Sequence, residues 1–162
     1  MRAKLSRHGW CIVLVTIGIH CTYAGTPPGL RQVLAEFETG ATRPGVCSGD
    51  YAVGSRKEIS RFQILPSVWR DYSRSSAYHD PQTSWQVAAE ILRDREEDFR
   101  QGTGREWDFV DIYLMWNAPG QYRRAKWNRE KVSAVVRARA ERFANLFEKR
   151  SGVYASQGVA QK

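Results

Sequence analysis

Apolar residues recur at helical spacing from Leu30 onward. Four of them fall at positions i, i+3, i+4 and i+7, namely Leu30, Val33, Leu34 and Phe37. This spacing puts their side chains on one face of a helix, and Gly40 is a suitable residue to end it. The pattern therefore predicts a helix whose last turn carries Glu38 beside the buried face.

The next twenty residues do not support a regular helix. Proline, glycine and serine interrupt residues 41–60 at six positions, namely Pro44, Gly45, Ser48, Gly49, Gly54 and Ser55. Such frequent turn residues predict a loop or a short irregular hairpin.

Helical patterns resume after this segment. One helix is expected to begin near Pro66, and the next to begin at Asp80-Pro81 and end near Gly102 and Gly104. A further helix is indicated by Trp107, Val110, Leu114 and Met115 and is expected to end at Asn117-Ala118-Pro119-Gly120. A last long helix is expected from about Asn128 to Arg150, with six residues facing inward, namely Val132, Val135, Val136, Phe143, Leu146 and Phe147.

These patterns predict a mainly α domain over residues 25–150, with one loop-rich or short β-hairpin lobe. The small polar residues 151–162 are expected to form a flexible tail.

Residues 1–24 have the organisation of a secretory signal peptide. A basic start precedes an apolar core of about a dozen residues, and Thr22-Tyr23-Ala24 supplies small residues near a cleavage position. The apolar core is shorter than the roughly 20 residues that a membrane span needs. The sequence thus predicts an exported protein, periplasmic or secreted, that is not inserted in a membrane after cleavage.

Charge and composition narrow the function classes. Without the segment 1–24 the chain has 22 basic and 17 acidic residues, a formal charge of +5 that suits an anionic polymer as partner. The basic residues alternate with acidic ones and no nucleic-acid-binding module is recognisable, which argues against nucleic acid as the partner. His79 is then the only histidine, and no nucleotide-binding glycine loop is found, so neither a metal site nor a cofactor is predicted.

Two carboxylates are candidates for catalysis. Glu38 follows Phe37 at a helix end, and an apolar environment would raise its pKa toward that of a general acid. Asp50 is the nearest second carboxylate beyond the turn-rich segment. Two such groups are the chemistry of glycoside cleavage. Glu36 and Glu58 are the competing acids, of which Glu36 lies off the apolar face and Glu58 lies among charges.

Several short motifs strengthen this hypothesis. "FETG" is followed by "GD", by "FQI" and then by a Trp-x-Asp sequence, and "YLMWNAPGQY" comes later. Together they resemble the active-site region of the lysozyme-like superfamily. The spacing from Glu38 to Asp50, with Arg43-Pro44 between them, is similar to that in invertebrate-type lysozymes. The later motif resembles the "A-Y-N-A-G" motif of soluble lytic transglycosylases. The glycine expected just before the Gln-Ile motif is absent, and Ser60-Arg61-Phe62 stand there.

The resemblance implies a lysozyme-like α+β fold and cleavage of the glycosidic bond between muramic acid and glucosamine in peptidoglycan strands. Glu38 matches the general acid of the family, and Asp50 matches the second carboxylate of the invertebrate-type enzymes. Gln63 and Asn117 match residues that line the sugar cleft, and Trp116 stands where an aromatic ring packs against a sugar.

Three alternatives remain open. The enzyme is a lysozyme if Asp50 assists water or forms a covalent intermediate, and a lytic transglycosylase if Glu38 works alone. A noncatalytic glycan-binding protein that retains the fold is a second possibility. A thiol hydrolase built on Cys47 and His79 is a third, although the loop around Cys47 lacks a helix N-terminus that would lower the pKa of the thiol.

Overall fold

A computed structural model describes the backbone of residues 27–159 and the side chains as far as Ser151. The predicted signal peptide lies outside the described residues. Six α-helices are found in this part of the chain, namely α1 (Leu30–Thr39), α2 (Pro66–Tyr72), α3 (Pro81–Thr103), α4 (Phe109–Asn117), α5 (Pro119–Arg124) and α6 (Ala134–Val159). Two short 3-10 helices, Ser48–Tyr51 and Arg129–Lys131, lie between them. The mainly α prediction is confirmed.

Helix α4 lies at the centre of the molecule. Its residues 111–116 are all buried, and it packs against both α6 and α3. A helix that is apolar around most of its circumference is normally enclosed by other elements. Helix α1 also packs on α6, where Phe37 contacts the rings of Tyr113 and Phe143 edge-on at 4.9 and 5.5 Å between centroids. The end of α1 is thereby fixed against the core.

The helix boundaries follow local signals in the sequence. Asp80 caps α3 by accepting a hydrogen bond from the Thr83 amide at 2.6 Å. Asp108 caps α4 through the amides of Val110 and Asp111. Gly40 ends α1 with a φ of 72°, in the left-handed region that glycine adopts without strain.

Helix α4 ends at Asn117, as expected, and Pro119 then occupies the first position of a separate helix, α5, where its missing N–H costs nothing. The expectations for the last helix were wrong. The last helix begins at Ala134 rather than at Asn128, because Asn128 caps the 3-10 helix at Arg129–Lys131 instead. Val135, in the first turn of α6, is 79% exposed and does not face inward. Helix α6 continues as backbone to Val159, beyond the predicted end at Arg150.

The segment between α1 and α2 is irregular, as expected. It contains the 3-10 helix Ser48–Tyr51 and a single antiparallel β-bridge between Ile59 and Ile64. Three non-glycine residues in this segment have positive φ, namely Lys57 (64°), Ser60 (64°) and Gln63 (51°). Residues 54–65 thus form a tightly turned loop beside the end of α1. No helix of the described part of the chain is long and apolar enough to cross a membrane.

Candidate functional site

A cavity of about 550 Å³ lies between the tight loop and the helical core. Its wall includes parts of α1, α3, α4, α5 and α6 as well as the loop. Several polar or aromatic residues of this wall carry groups that could contact a bound molecule, among them Glu38, Glu58, Gln63, Arg95, Trp116 and Asn117. Four of the five residues proposed from the sequence therefore meet at one cavity.

Glu38 lies in the last turn of α1 and is held by two other helices. Tyr113 of α4 donates its hydroxyl hydrogen to Oε1 at 2.7 Å, and Arg139 of α6 donates to Oε2 at 2.9 Å. Arg139 also donates from Nε to the Tyr113 hydroxyl at 2.6 Å. This closed arrangement fixes the direction of the carboxyl group.

The environment of Glu38 favours the protonated acid. Its side chain is only 6% exposed, and burial raises the pKa of the carboxyl above its ordinary value. The hydrogen bonds from Tyr113 and the charge of Arg139 lower the pKa but do not cancel the effect of burial. The negative charge of Glu58 adds to the increase. A carboxyl group that stays protonated to a higher pH than usual is the kind that serves as a general acid.

Glu58 is the second carboxylate at the cavity. Its side chain is 9% exposed, and Arg56 donates to it from the backbone amide and from Nε, each at 2.8 Å. Although burial opposes ionisation, the hydrogen bond from the backbone amide of Glu58 itself, together with the hydrogen bonds and the charge of Arg56, leaves the pKa of Glu58 below its ordinary value. The cavity therefore holds one carboxyl that is harder to ionise and one that is easier.

Gly54 makes room for this arrangement. A Cβ atom at this position would lie 2.3 Å from Oε2 of Glu58 and 2.4 Å from Oε1 of Gln63. Gln63 uses its side-chain amide nitrogen to donate to the carbonyls of Ala52 and Ser60, at 3.1 and 3.2 Å. Gln63 thus lines the cavity and also holds the loop in shape.

Trp116 and Asn117 end α4 at the cavity wall. Trp116 is only 7% exposed, and the guanidinium of Arg95 lies over its ring at 5.2 Å from the centroid. Asn117, the last residue of the helix, is partly exposed to the cavity. The prediction that Trp116 presents a ring to a sugar therefore applies only to a small exposed part of the side chain.

Asp50 is not part of the cavity wall. Its side chain is fully buried and forms a two-pronged ion pair with Arg61, at 2.6 Å from Nε and 2.7 Å from Nη2. The Cys47 amide donates to Oδ2 at 2.7 Å. Arg61 also donates to the carbonyls of Arg43 and Gly45, so the pair ties the loop together. Although burial opposes ionisation, the contacts with Arg61 and Cys47 leave the pKa of Asp50 below its ordinary value.

Sequence reasoning missed the position of Glu58. Its neighbouring charges suggested a solvated surface, yet one of them, Arg56, supports the carboxylate at the cavity. No periodic pattern fixes the direction of a side chain in an irregular loop. The sequence did contain one indication. Gly54 lies four residues before Glu58 in the same loop as Gln63, and a glycine leaves space for neighbouring side chains.

The thiol-hydrolase alternative finds no contact to support it in the described structure. The Nδ1 atom of His79 is 2.7 Å from the carbonyl oxygen of Asp50, and its ring stacks on Tyr51 at 4.3 Å. Cys47 instead lies beside the guanidinium of Arg61, with Sγ 4.0 Å from Nη2.

Among the residues whose side chains the structure describes, the acidic, cysteine and histidine side chains form no cluster that could hold a metal ion. Comparison with known proteins gives no relative, since no family model, no curated protein and no solved structure matches the chain.

Proposed function

We propose that the protein cleaves glycosidic bonds in peptidoglycan strands, as a lysozyme or a lytic transglycosylase with a lysozyme-like fold. The observation that carries the proposal is the pair Glu38 and Glu58 on one cavity, with pKa values displaced in opposite directions. Two carboxyl groups whose environments separate their pKa values are typical of an acid and an ionised partner in glycoside cleavage.

Glu38 acts as the general acid and protonates the glycosidic oxygen. Tyr113 and Arg139 hold the carboxyl in place, and they stabilise the carboxylate that remains after proton transfer. Glu58 takes the role that the sequence had suggested for Asp50. As an ionised carboxylate it stabilises the positive charge that develops on the sugar ring, or orients a water molecule.

The backbone of the loop supports the proposed resemblance to the lysozyme-like superfamily. Ser60 is the first of the three residues that stand where the Gln-Ile motif is expected to follow a glycine. Its φ of 64° is in the left-handed region, which glycine adopts most easily. The backbone at this position therefore has the conformation that glycine favours, although the residue is a serine.

The proposal is tested by digestion of purified peptidoglycan with the protein lacking residues 1–24 and with its Glu38→Gln and Glu58→Gln variants. Removal of a general acid is expected to lower the rate by about 10²- to 10⁴-fold. Glu36→Gln is the matched control, because Glu36 lies in the same helix but pairs with Arg150 away from the cavity wall. Full activity of Glu38→Gln would reject the assignment.

Mass analysis of the products separates the two mechanisms. Reducing ends indicate hydrolysis, and anhydro ends, one water lighter, indicate ring closure by the 6-hydroxyl of muramic acid. A Glu58→Gln variant that keeps full activity and forms anhydro ends would show that Glu38 works without a second carboxylate. A wild-type protein that binds the strands without cleaving them would favour the noncatalytic alternative.

A further inference from the structure

Arg95 differs from the other arginines of the cavity wall in its partners. Arg56 pairs with Glu58 and Arg139 pairs with Glu38, so each of these two cations has an acid on the same wall. Arg95 projects from α3 into this wall and has no carboxylate partner within the described residues. The three arginines outnumber the two glutamates of the wall, so the wall keeps a net positive charge whether Glu38 is protonated or ionised.

Arg95 is held by backbone groups rather than by an acid. Its Nη1 atom donates to the carbonyls of Met115 and Trp116, at 2.9 and 2.6 Å, in the last turn of α4. Carbonyl groups at a helix C-terminus lack partners within the helix and attract a cation. This contact and the ring of Trp116 account for where the guanidinium lies.

The rest of the guanidinium forms no hydrogen bond within the described structure. A guanidinium carries five N–H donors, and only those of Nη1 form hydrogen bonds here. The Nε and Nη2 donors together form the fork that matches the two oxygens of a carboxylate. Burial lowers the pKa of Arg95 to about 10, so the group is still charged at neutral pH. Tyr72 partly offsets the effect of burial on the pKa of Arg95, and Arg123, a nearby cation that pairs with Asp98, lowers that pKa further.

We propose that Arg95 binds a carboxylate of the ligand in this cavity, and that the carboxylate is the lactyl group of a muramic acid without a stem peptide. The assignment of the sugar rests on the proposed function. In muramic acid that carries a peptide, the lactyl carboxyl is an amide and has no charge to offer the guanidinium. The site therefore prefers strands from which an amide-cleaving reaction has already removed the peptide.

A set of matched disaccharides tests this proposal by binding. The probes are glucosaminyl-muramic acid, its carboxyl methyl ester, and chitobiose, which lacks the lactyl group. The wild-type protein is expected to bind the free acid at least about tenfold more tightly than the ester or chitobiose, the size of effect that a charge-assisted hydrogen bond supplies. Calorimetry or NMR titration at neutral pH gives the three dissociation constants.

Variants of Arg95 identify the group responsible. Arg95→Gln is expected to lose the preference for the acid while its affinity for chitobiose stays the same. Arg95→Lys keeps the charge without the fork and is expected to retain only part of the preference. Thermal unfolding checks that each variant is folded. If Arg95→Gln does not fold, Arg95→Lys still tests the role of Arg95, and the comparison of acid and ester in the wild-type protein still tests whether the cavity binds the carboxylate.

Several outcomes would overturn the proposal. Equal affinity of the wild type for all three disaccharides contradicts the carboxylate assignment while leaving glycan binding intact. A preference that survives in folded Arg95→Gln contradicts the role of Arg95. Tighter binding of inorganic phosphate than of the free acid would assign the site to phosphate instead. Absence of binding by every disaccharide contradicts both this proposal and the proposed function.

Discussion

At the scale of single residues, the two acids that the sequence offered as catalytic candidates have different environments. Glu38 is placed at a cavity by a helix end, as its position in the pattern predicted. Asp50 is enclosed with Arg61 and does not line the cavity. Sequence spacing gives the distance along the chain between two carboxylates, but it does not show which of them a nearby arginine will pair with. Here Asp50 pairs with Arg61, a residue of the same segment, and therefore lies away from the cavity wall.

The first prediction concerns Asp50. Asp50→Asn keeps the volume of the side chain but leaves the guanidinium of Arg61 buried without a counter-charge. Removal of one member of a buried ion pair costs about 3–5 kcal/mol. The free energy of unfolding, measured with urea at neutral pH, is expected to fall by an amount of that order. The activity of the folded fraction is expected to change far less than in Glu38→Gln.

The pH dependence of this effect has a definite sign. Because the pKa of Asp50 is lower in the folded protein than its ordinary value of 3.8, the pair stabilises the fold above that pH. Its contribution is lost as the pH falls through the folded pKa, so the difference between variant and wild type shrinks in acid. If the Asp50→Asn protein is instead as stable as the wild type but inactive, the prediction is wrong and Asp50 has a catalytic role.

At the scale of elements, the sequence was informative where helices have a regular apolar face and clear end signals. Pro66, Asp80-Pro81 and Gly40 all lie at the helix ends that they predicted. The errors lie at short connections, where several readings of one signal are possible. Pro119 is compatible with a turn or with the first position of a helix. The hydrogen bonds from the amides of Gln121 and Tyr122 to the Ala118 carbonyl select the helix.

Gly102 shows a constraint between elements that the sequence did not reveal. The residue was expected to help end α3, yet it lies inside the last turn of this helix. Its missing side chain admits the indole of Trp127, since a Cβ there would lie 2.3 Å from Nε1 and 2.5 Å from Cε2. Trp127 in turn contacts the rings of Phe99 and Tyr122 edge-on. The glycine is therefore needed for packing rather than for the helix end, which Gly104 provides.

The second prediction follows from this contact. Gly102→Ala is expected to destabilise the protein, because overpacking against a rigid ring costs about 1–3 kcal/mol. The gain in helix propensity is only about 1 kcal/mol. Gly45→Ala is the matched control, since nothing lies within 4 Å of the added methyl group there. Both are compared with the wild type by urea unfolding.

A double-mutant cycle isolates the cause. In a Trp127→Ala background the added methyl group has space, so Gly102→Ala is expected to stabilise the protein by about the propensity gain. If Gly102→Ala is equally destabilising with and without the indole, the packing explanation is wrong.

At the scale of the whole molecule, the functional site depends on contacts between residues far apart in the chain. Helices α1, α4 and α6 meet through Glu38, Tyr113 and Arg139, separated by as many as 101 positions. Each helix could be predicted from its own pattern. The meeting of these three side chains could not, because periodicity defines a buried face but not the partner of each residue on it. No pattern in the sequence therefore assigned a role to Arg139.

Carboxyl groups with buried side chains give the folded protein a characteristic dependence on pH. The pKa values of Asp50, Glu58 and Asp111 are lowered on folding, so stability is expected to rise as the pH increases through the acid range. Glu38 acts in the opposite sense. Its raised pKa means that the folded state binds more protons than the unfolded state above about pH 4.5, so stability falls as the pH rises toward the folded pKa.

The third prediction compares unfolding free energies of the wild type and Glu38→Gln across this pH range. Glutamine keeps an oxygen that accepts hydrogen bonds from Tyr113 and Arg139 but does not titrate. The fall in stability that begins above about pH 4.5 and ends as the pH passes the folded pKa of Glu38 is therefore expected to be smaller in the variant, while the rise at lower pH remains. Because the titrating groups remote from Glu38 are common to both proteins, the difference between the two curves reports Glu38 together with Glu58, whose charge interacts with it. Parallel curves above pH 4.5 would mean that folding does not raise the pKa of Glu38, and would remove the physical basis for its role as a proton donor near neutral pH.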